Sequence, residues 1–584
     1  MRCFVRRLSA ESKQALDFVI NFADNGPMPN APHRRELFAA VVALGLGGTT
    51  FQRALAAAAD DPKNDTPKGV SVEMVKNAEW IAGIKLTDDQ RTLVAAALSR
   101  SQAALAKARA EALPNALGLA LHFVPNPGAA SYAGPRGEVV APKLDVKKPT
   151  SDEDLAYASV ATLSQLVKSK QISSVELTKF CLARLAKVDT TLKCVVTLTE
   201  GLALKQAKQA DAEIAAGKDR GPLHGVPWGA KDLISIPGYK TTWGADVYKD
   251  QTFDTTATVA TKLADAGAVL VAKLTLGALA WGDVWFGGQT RNPWNPKQGS
   301  SGSSAGSASA VSAGAVPFAI GSETLGSIIS PASRCGVTGL RPTFGRVSRA
   351  GCMALTWSMD KLGPLARSAE DCALVLGAIH GTDAGDPSAQ NHRFDWPGRM
   401  KLKDLRVGYF EKSTKTPTLD TLKSLGVKLV PIALPKMSEY RTLKVILDAE
   451  AATLFDDLTR KGVTEGIGLW PASLREGQFI TAVEYLRANR LRSRLMTEMA
   501  TVMETVDVYV GGDDLQLTNL TGHPSIVMPN GLVKSAAGIE VPAGITFTGK
   551  LFGETELLTV SKAWQEATGY HLKRPPHERF LNAM

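Results

Sequence analysis

From Gly299 to Ser309 every residue is glycine, serine or alanine: Gly299-Ser300-Ser301-Gly302-Ser303-Ser304-Ala305-Gly306-Ser307-Ala308-Ser309, entered from Gln298. Between polar segments such a composition would make a flexible linker. The flanks forbid that here. The run passes into Ala310, Val311, Ala313, Ala315 and Val316, then Phe318-Ala319-Ile320, a pattern that predicts a buried helix followed by a strand. Between buried elements, small residues let backbone segments approach closely. A second small-residue loop follows at once, Gly321-Ser322-Glu323-Thr324-Leu325-Gly326-Ser327-Ile328-Ile329-Ser330-Pro331. Two serine loops separated by one packed unit can fold their hydroxyls together.

The rest of the chain supplies a large core. It has 584 residues, 44% hydrophobic and 21% charged, which excludes wholesale disorder and fibrous architectures. Leu163, Leu166, Val167, then Leu177, Phe180, Cys181, Leu185 and Val188 recur at helical spacing. Val226 and Trp228 lead to Lys231-Asp232, and Val259, Leu263, Ala266-Gly267 and Ala268 to Lys273 read as helix, turn and strand. This alternation predicts an α/β body, a mixed β-sheet sandwiched by helices, over residues 148–584. Residues 60–147 read as a mostly helical extension, with Asp88-Asp89 opening an Ala-rich helix that Pro114 stops and a Pro/Gly-rich loop beyond it.

Residues 1–59 read as a leader. Arg34-Arg35 precede the apolar stretch from Ala39 to Thr50 and then Ala54-Leu55-Ala56-Ala57-Ala58-Ala59, the parts of a twin-arginine export signal. The expectation is a periplasmic protein, or a cytoplasmic one if the stretch is only a buried helix. The apolar part is too short for a membrane span of about 20 residues.

Composition excludes several function classes. The formal charge of +10 is scattered, with basic runs no longer than pairs such as Lys147-Lys148, so it describes a solvated surface and no nucleic-acid partner is expected. Six dispersed cysteines make no CxxC pair, and eight histidines make no HExxH, so neither a metal nor another cofactor is expected. The chemistry must come from other nucleophiles and bases. Serine needs a neighbouring base. His224 sits in a tight turn, Gly221-Pro222-Leu223-His224-Gly225-Val226-Pro227, and reads as structural. Lys231, at the end of an apolar segment, is the stronger candidate, since burial lowers a lysine pKa toward the range of a working base.

That turn and Lys231-Asp232, then Thr258-Val259-Ala260, Gly267-Ala268-Val269-Leu270 and the serine loops resemble the amidase signature family in order and spacing. So do Cys335 to Ser348, Asp360-Lys361-Leu362-Gly363-Pro364-Leu365-Ala366-Arg367-Ser368, Asn519 to Pro524 and Gln565 to Thr568. The resemblance spans about 155–576. It implies the fold of that family and a Ser–cis-Ser–Lys triad, with Lys231 as base, Ser303 as the serine in a cis peptide and Ser327 as the nucleophile that forms an acyl-enzyme. The backbone amides of Thr324, Leu325, Gly326 and Ser327 would face the oxyanion, each such donor typically contributing about 2.7–4 kcal/mol.

The sequence departs from the family pattern at Glu323, where an aspartate is usual, at Leu325 for the first glycine, and at Ile329 for an arginine. Ser300-Ser301-Gly302 replaces the commoner Pro-Gly-Gly. The loss at Ile329 removes a partner for the acidic residue and is expected to bear on substrate preference. The resemblance implies an amidase hydrolysing a carboxylic amide C–N bond in a small-molecule substrate. One alternative is the glutamine-hydrolysing A subunit of a tRNA-dependent amidotransferase, although Ala449-Glu450-Ala451 is not followed by the Tyr-Asp-Gly loop that class would favour. A second is a non-catalytic binding protein on the same fold. Trp281-Gly282-Asp283-Val284-Trp285-Phe286 is expected near the site with its aromatics in the core, and Gly511-Gly512-Asp513-Asp514 as a specificity loop at most.

Overall fold

A computed structural model describes residues 69–110, 115, 122–125, 135–412, 414–440, 443–512 and 514–581. The expected leader, with Arg34-Arg35, lies outside these residues, as does Asp513. The chain divides between residues 113 and 114 into two compact units. In the first, Val72–Ala82 (α1) precedes Asp88–Ala110 (α2), the helix expected from Asp88-Asp89. The Ser71 hydroxyl accepts from Met74 N at 3.2 Å and caps α1, while Asp88 and Asp89 occupy the first turn of α2, where the helix dipole favours negative charge. Residues 135–147 run extended within the second unit, with Val140 N donating to Trp396 O at 2.7 Å.

The second unit is built on one mixed sheet. Its strands are β1 (Val195–Leu198), β2 (Pro227–Lys231), β3 (Val269–Leu274), β4 (Phe318–Glu323), β5 (Thr338–Arg341), β6 (Lys361–Ala366), β7 (Arg406–Tyr409), β8 (Lys428–Pro431), β9 (Val508–Val510), β10 (Ser525–Lys534) and β11 (Glu540–Gly549). They lie in the order β1-β3-β2-β4-β6-β5-β10-β11-β9-β7-β8. β2 pairs parallel with β3 and β4, whereas β6 runs antiparallel to β4. Alternate residues feed two cores, one on each face. Trp228, Ala230, Leu270, Phe318 and Ile320 enter one, and Val269, Val271 and Ala319 the other. Burial on both faces explains why these strands read as continuous apolar runs.

This layout positions the site. Because β2 and β4 are parallel neighbours, their C-terminal ends lie side by side, bringing Lys231 next to Ser322 and Glu323. The small-residue run leads into the expected helix, Ala305–Ser312 (α3), and α3 into β4, so both serine loops emerge at the same edge.

Candidate functional site

Lys231 is fully buried at the end of β2. Its Nζ donates to Ser303 Oγ at 2.8 Å, Ser322 Oγ at 2.9 Å, Ser304 Oγ at 3.1 Å and Ser322 O at 3.3 Å. Every one of these partners is neutral, and no carboxylate lies within ion-pair distance among the described residues. Burial lowers its pKa to about 7, against the milder opposing fields of Asp360 and Glu323. The sequence placed Lys231 and Ser303 together; it did not single out Ser304 or Ser322 as further hydroxyls on the amine, although both stand in the quoted loops.

The Gly302–Ser303 peptide is cis, as the resemblance implied for this position. Gly302 is required by space: a Cβ there would lie 1.8 Å from Gly282 O. Ser301 N donates to Asp283 Oδ2 at 2.8 Å, so the 281–286 segment does adjoin the serine loop. Its aromatics are not core residues, however. Trp281 and Phe286 are each 40% exposed, with Trp281 set edge-on to Trp470 and Phe286 to Trp285.

The two serine loops are tied by Ser304 N, which donates to Ser327 O at 3.0 Å. Ser327 itself is 9% exposed. No hydrogen bond joins the Ser303 and Ser327 hydroxyls, a kind of contact that often tightens only with substrate bound. Among the described residues the amides of Thr324, Leu325, Gly326 and Ser327 donate to no partner, so this turn presents four free N–H groups. Gly326 takes φ 85°, where glycine is favoured, whereas Leu325 stays at negative φ. Leucine at 325 therefore keeps the turn that the family builds with two glycines.

With Ile329 in place of the loop arginine, Glu323 takes its partners from elsewhere. Arg341 Nη1 donates to Glu323 Oε1 at 2.7 Å and Asn519 Nδ2 to the same oxygen at 2.8 Å. Ile328 N and Ile329 N donate to Oε2 at 2.8 and 3.0 Å. Burial alone would raise the Glu323 pKa, but Arg341, Lys361 and the Ile329 amide hold it at about 2. The longer side chain reaches an arginine on β5 in place of one in its own loop. The anion then grips the residues just after Ser327. On the other side, Thr324 Oγ1 donates to Asp360 Oδ1 at 2.5 Å.

A cavity of about 920 Å³ reaches this turn at Ser322 and Thr324 and continues past Asp360, Lys361, Glu450 and Arg492. Such a volume suits a small or medium organic ligand. His224 is buried in its turn, with Nδ1 accepting from Arg220 N at 3.2 Å, in keeping with a structural reading. Among the described residues no group of three or more His, Cys, Asp or Glu side chains could hold a metal ion, and no helix is long and apolar enough to cross a membrane. A buried amine of lowered pKa, hydroxyls in contact with it, a second serine loop and a turn of free amides together form a constellation suited to acyl transfer.

The amidase family profile matches residues 176–512. The A subunit of glutamyl-tRNA(Gln) amidotransferase from Roseiflexus sp. (strain RS-1) is 33% identical over 472 residues, covering 69% of this chain and 95% of that protein. The A subunit of the same name from Azotobacter vinelandii is 34% identical over 484 residues, covering 71% and 99%. The solved structure of native peptide amidase from Stenotrophomonas maltophilia superposes with a TM-score of 0.63 at 30% identity, covering 72% of this chain and 98% of that one.

Proposed function

The chain belongs to the amidase signature family, whose enzymes act on C–N bonds, and on that premise we propose that it hydrolyses a carboxylic amide through a serine acyl-enzyme. The observation that carries this reading is Lys231, fully buried, 2.8 Å from Ser303 Oγ and with only neutral partners. Its neutral amine takes the proton of Ser303 as Ser303 takes that of Ser327. Ser327 Oγ then attacks the substrate carbonyl carbon. The oxyanion that forms is held by the amides of the 324–327 turn. When the C–N bond breaks, the proton returns through Ser303 to the departing nitrogen, leaving the acyl group on Ser327. Water attacks that ester by the same relay in reverse, and a carboxylic acid is released.

A panel of aliphatic, aryl and peptide amides and glutamine, with mass spectrometry of a fluorophosphonate-treated sample, tests this. The expected result is turnover of at least one amide and a single adduct on Ser327, lost in Ser327→Ala. Turnover unaffected by Ser327→Ala would end the reading. A second reading is favoured by the names of the curated relatives, and more strongly than the first: release of ammonia from glutamine within an amidotransferase assembly. Activity confined to glutamine and dependent on a partner protein would select it.

A further inference from the structure

Most polar groups along the cavity are satisfied; the Trp357 indole N–H has no partner, and Lys361 carries the charged-type donor that is left over. Asp360 accepts from the Thr324 and Thr356 hydroxyls and from Leu355 N and Thr356 N. Asp386 accepts from Arg349 and Ser388, and Glu450 from Ser358 and Tyr485. Arg492 donates to Leu520 O and to Ser358. Lys361, only 2% exposed, donates to the Met359 carbonyl alone and forms no ion pair among the described residues. An ammonium has three donors and a neutral amine two, so at least one N–H is left over on this buried side chain in the cavity wall. Buried donors without partners are costly, and a site built around one favours a ligand that supplies the acceptor.

The position of this donor relates it to the chemistry. Lys361 opens β6 directly opposite Glu323 in β4, and it follows Asp360, which holds Thr324. The donor thus stands beside the turn that would receive the substrate carbonyl. We propose that Lys361 is a specificity-determining residue, donating a hydrogen bond to a second acceptor oxygen, carbonyl or carboxylate, carried on the acyl part of the substrate. Burial, together with Arg341 and Arg492, pushes its ammonium well below the ordinary range, while Glu323 and Asp360 oppose this. An oxygen seated against it would restore what burial removes. The inference rests on the amide-hydrolysing reading and narrows its substrate class to amides with a second oxygen.

The test compares three substrate series of four to six carbons: ω-monoamides of dicarboxylic acids, the corresponding diamides, and plain alkyl amides. The parent should prefer an oxygen-bearing series over the alkyl amides by about tenfold or more in kcat/KM. A preference for monoamides identifies a carboxylate acceptor, and one for diamides a carbonyl. Lys361→Met should remove that preference, mainly through KM, while alkyl amides stay within about threefold of the parent. Lys361→Gln, which keeps an N–H, should recover part of it, and it carries the test if melting shows that the Met variant does not fold. Equal losses on all series, unchanged kinetics, or a parent without preference would each overturn the proposal. Absence of both turnover and a fluorophosphonate adduct in the parent would instead overturn the hydrolytic function, and this inference with it.

Discussion

Two lysines on adjacent strands are both wholly shielded from solvent, yet their surroundings differ in kind. Lys273, on β3, forms an ion pair with Asp232 at 2.7 Å and donates to Thr241 Oγ1 at 2.9 Å and Lys240 O at 3.0 Å. Lys231, on β2, sits one register position from it and meets three serine hydroxyls and a carbonyl. Burial is common to both, so burial alone does not make a base. The partners differ: Lys273 has a carboxylate against it and Lys231 has none, and burial without a counterion lowers the Lys231 pKa to about 7.

If this contrast is right, equivalent truncations at the two lysines should fail in different ways. Lys231→Met should lower kcat by about a thousandfold or more while the melting temperature changes little, since a neutral side chain replaces an amine without a counterion. Lys273→Met should instead destabilise the fold by about 3–5 kcal/mol, because Asp232 is left as an uncompensated buried charge. Denaturant unfolding and steady-state kinetics on both variants separate the outcomes. A pair of variants that fail alike would remove the distinction.

The contrast can also be erased from the other side. Ser322→Asp places a carboxylate within reach of Lys231, at a position that opens onto the cavity. The opposite charge should raise the Lys231 pKa by about one to three units. The base works only when neutral, so activity rises with pH through its pKa. The acid limb of the kcat/KM profile should therefore move upward from about 7, with activity at pH 7 falling by about fivefold or more.

The smallest effect is expected where the sequence departs from its family without changing the backbone. Leu325→Gly should keep kcat within about threefold, because residue 325 contributes an amide at ordinary φ and its side chain is 39% exposed.

How much of this was legible in the sequence follows from the range of the interactions. The helix-turn-strand unit over 258–274 and the buried helix and strand after Ser304 were readable, because periodicity reports burial over a few residues. Lys231, Ser303 and Ser327 came from motif order. The partners that Glu323 takes instead of the loop arginine were not legible, because Arg341 reaches it across the sheet and Asn519 from 196 residues away. No local pattern encodes such pairings. The long strands Ser525–Lys534 and Glu540–Gly549 went unread for a related reason, since each is buried at one end only, the first at its start and the second at its finish. The aromatics at 281–286 show the reverse error: large apolar side chains suggested a core, and the structure leaves Trp281 and Phe286 part-exposed.

The central claim is that the unpaired amine of Lys231 activates Ser327. The rate at which a fluorophosphonate labels Ser327, followed by mass spectrometry from pH 5 to 9, measures that activation without the uncertainty of substrate choice. The rate should rise with pH as Lys231 loses its proton, with a midpoint near 7, and Lys231→Met should abolish the rise along with most of the labelling. A labelling rate that is flat across this range, or a rise that survives in Lys231→Met, would contradict the account.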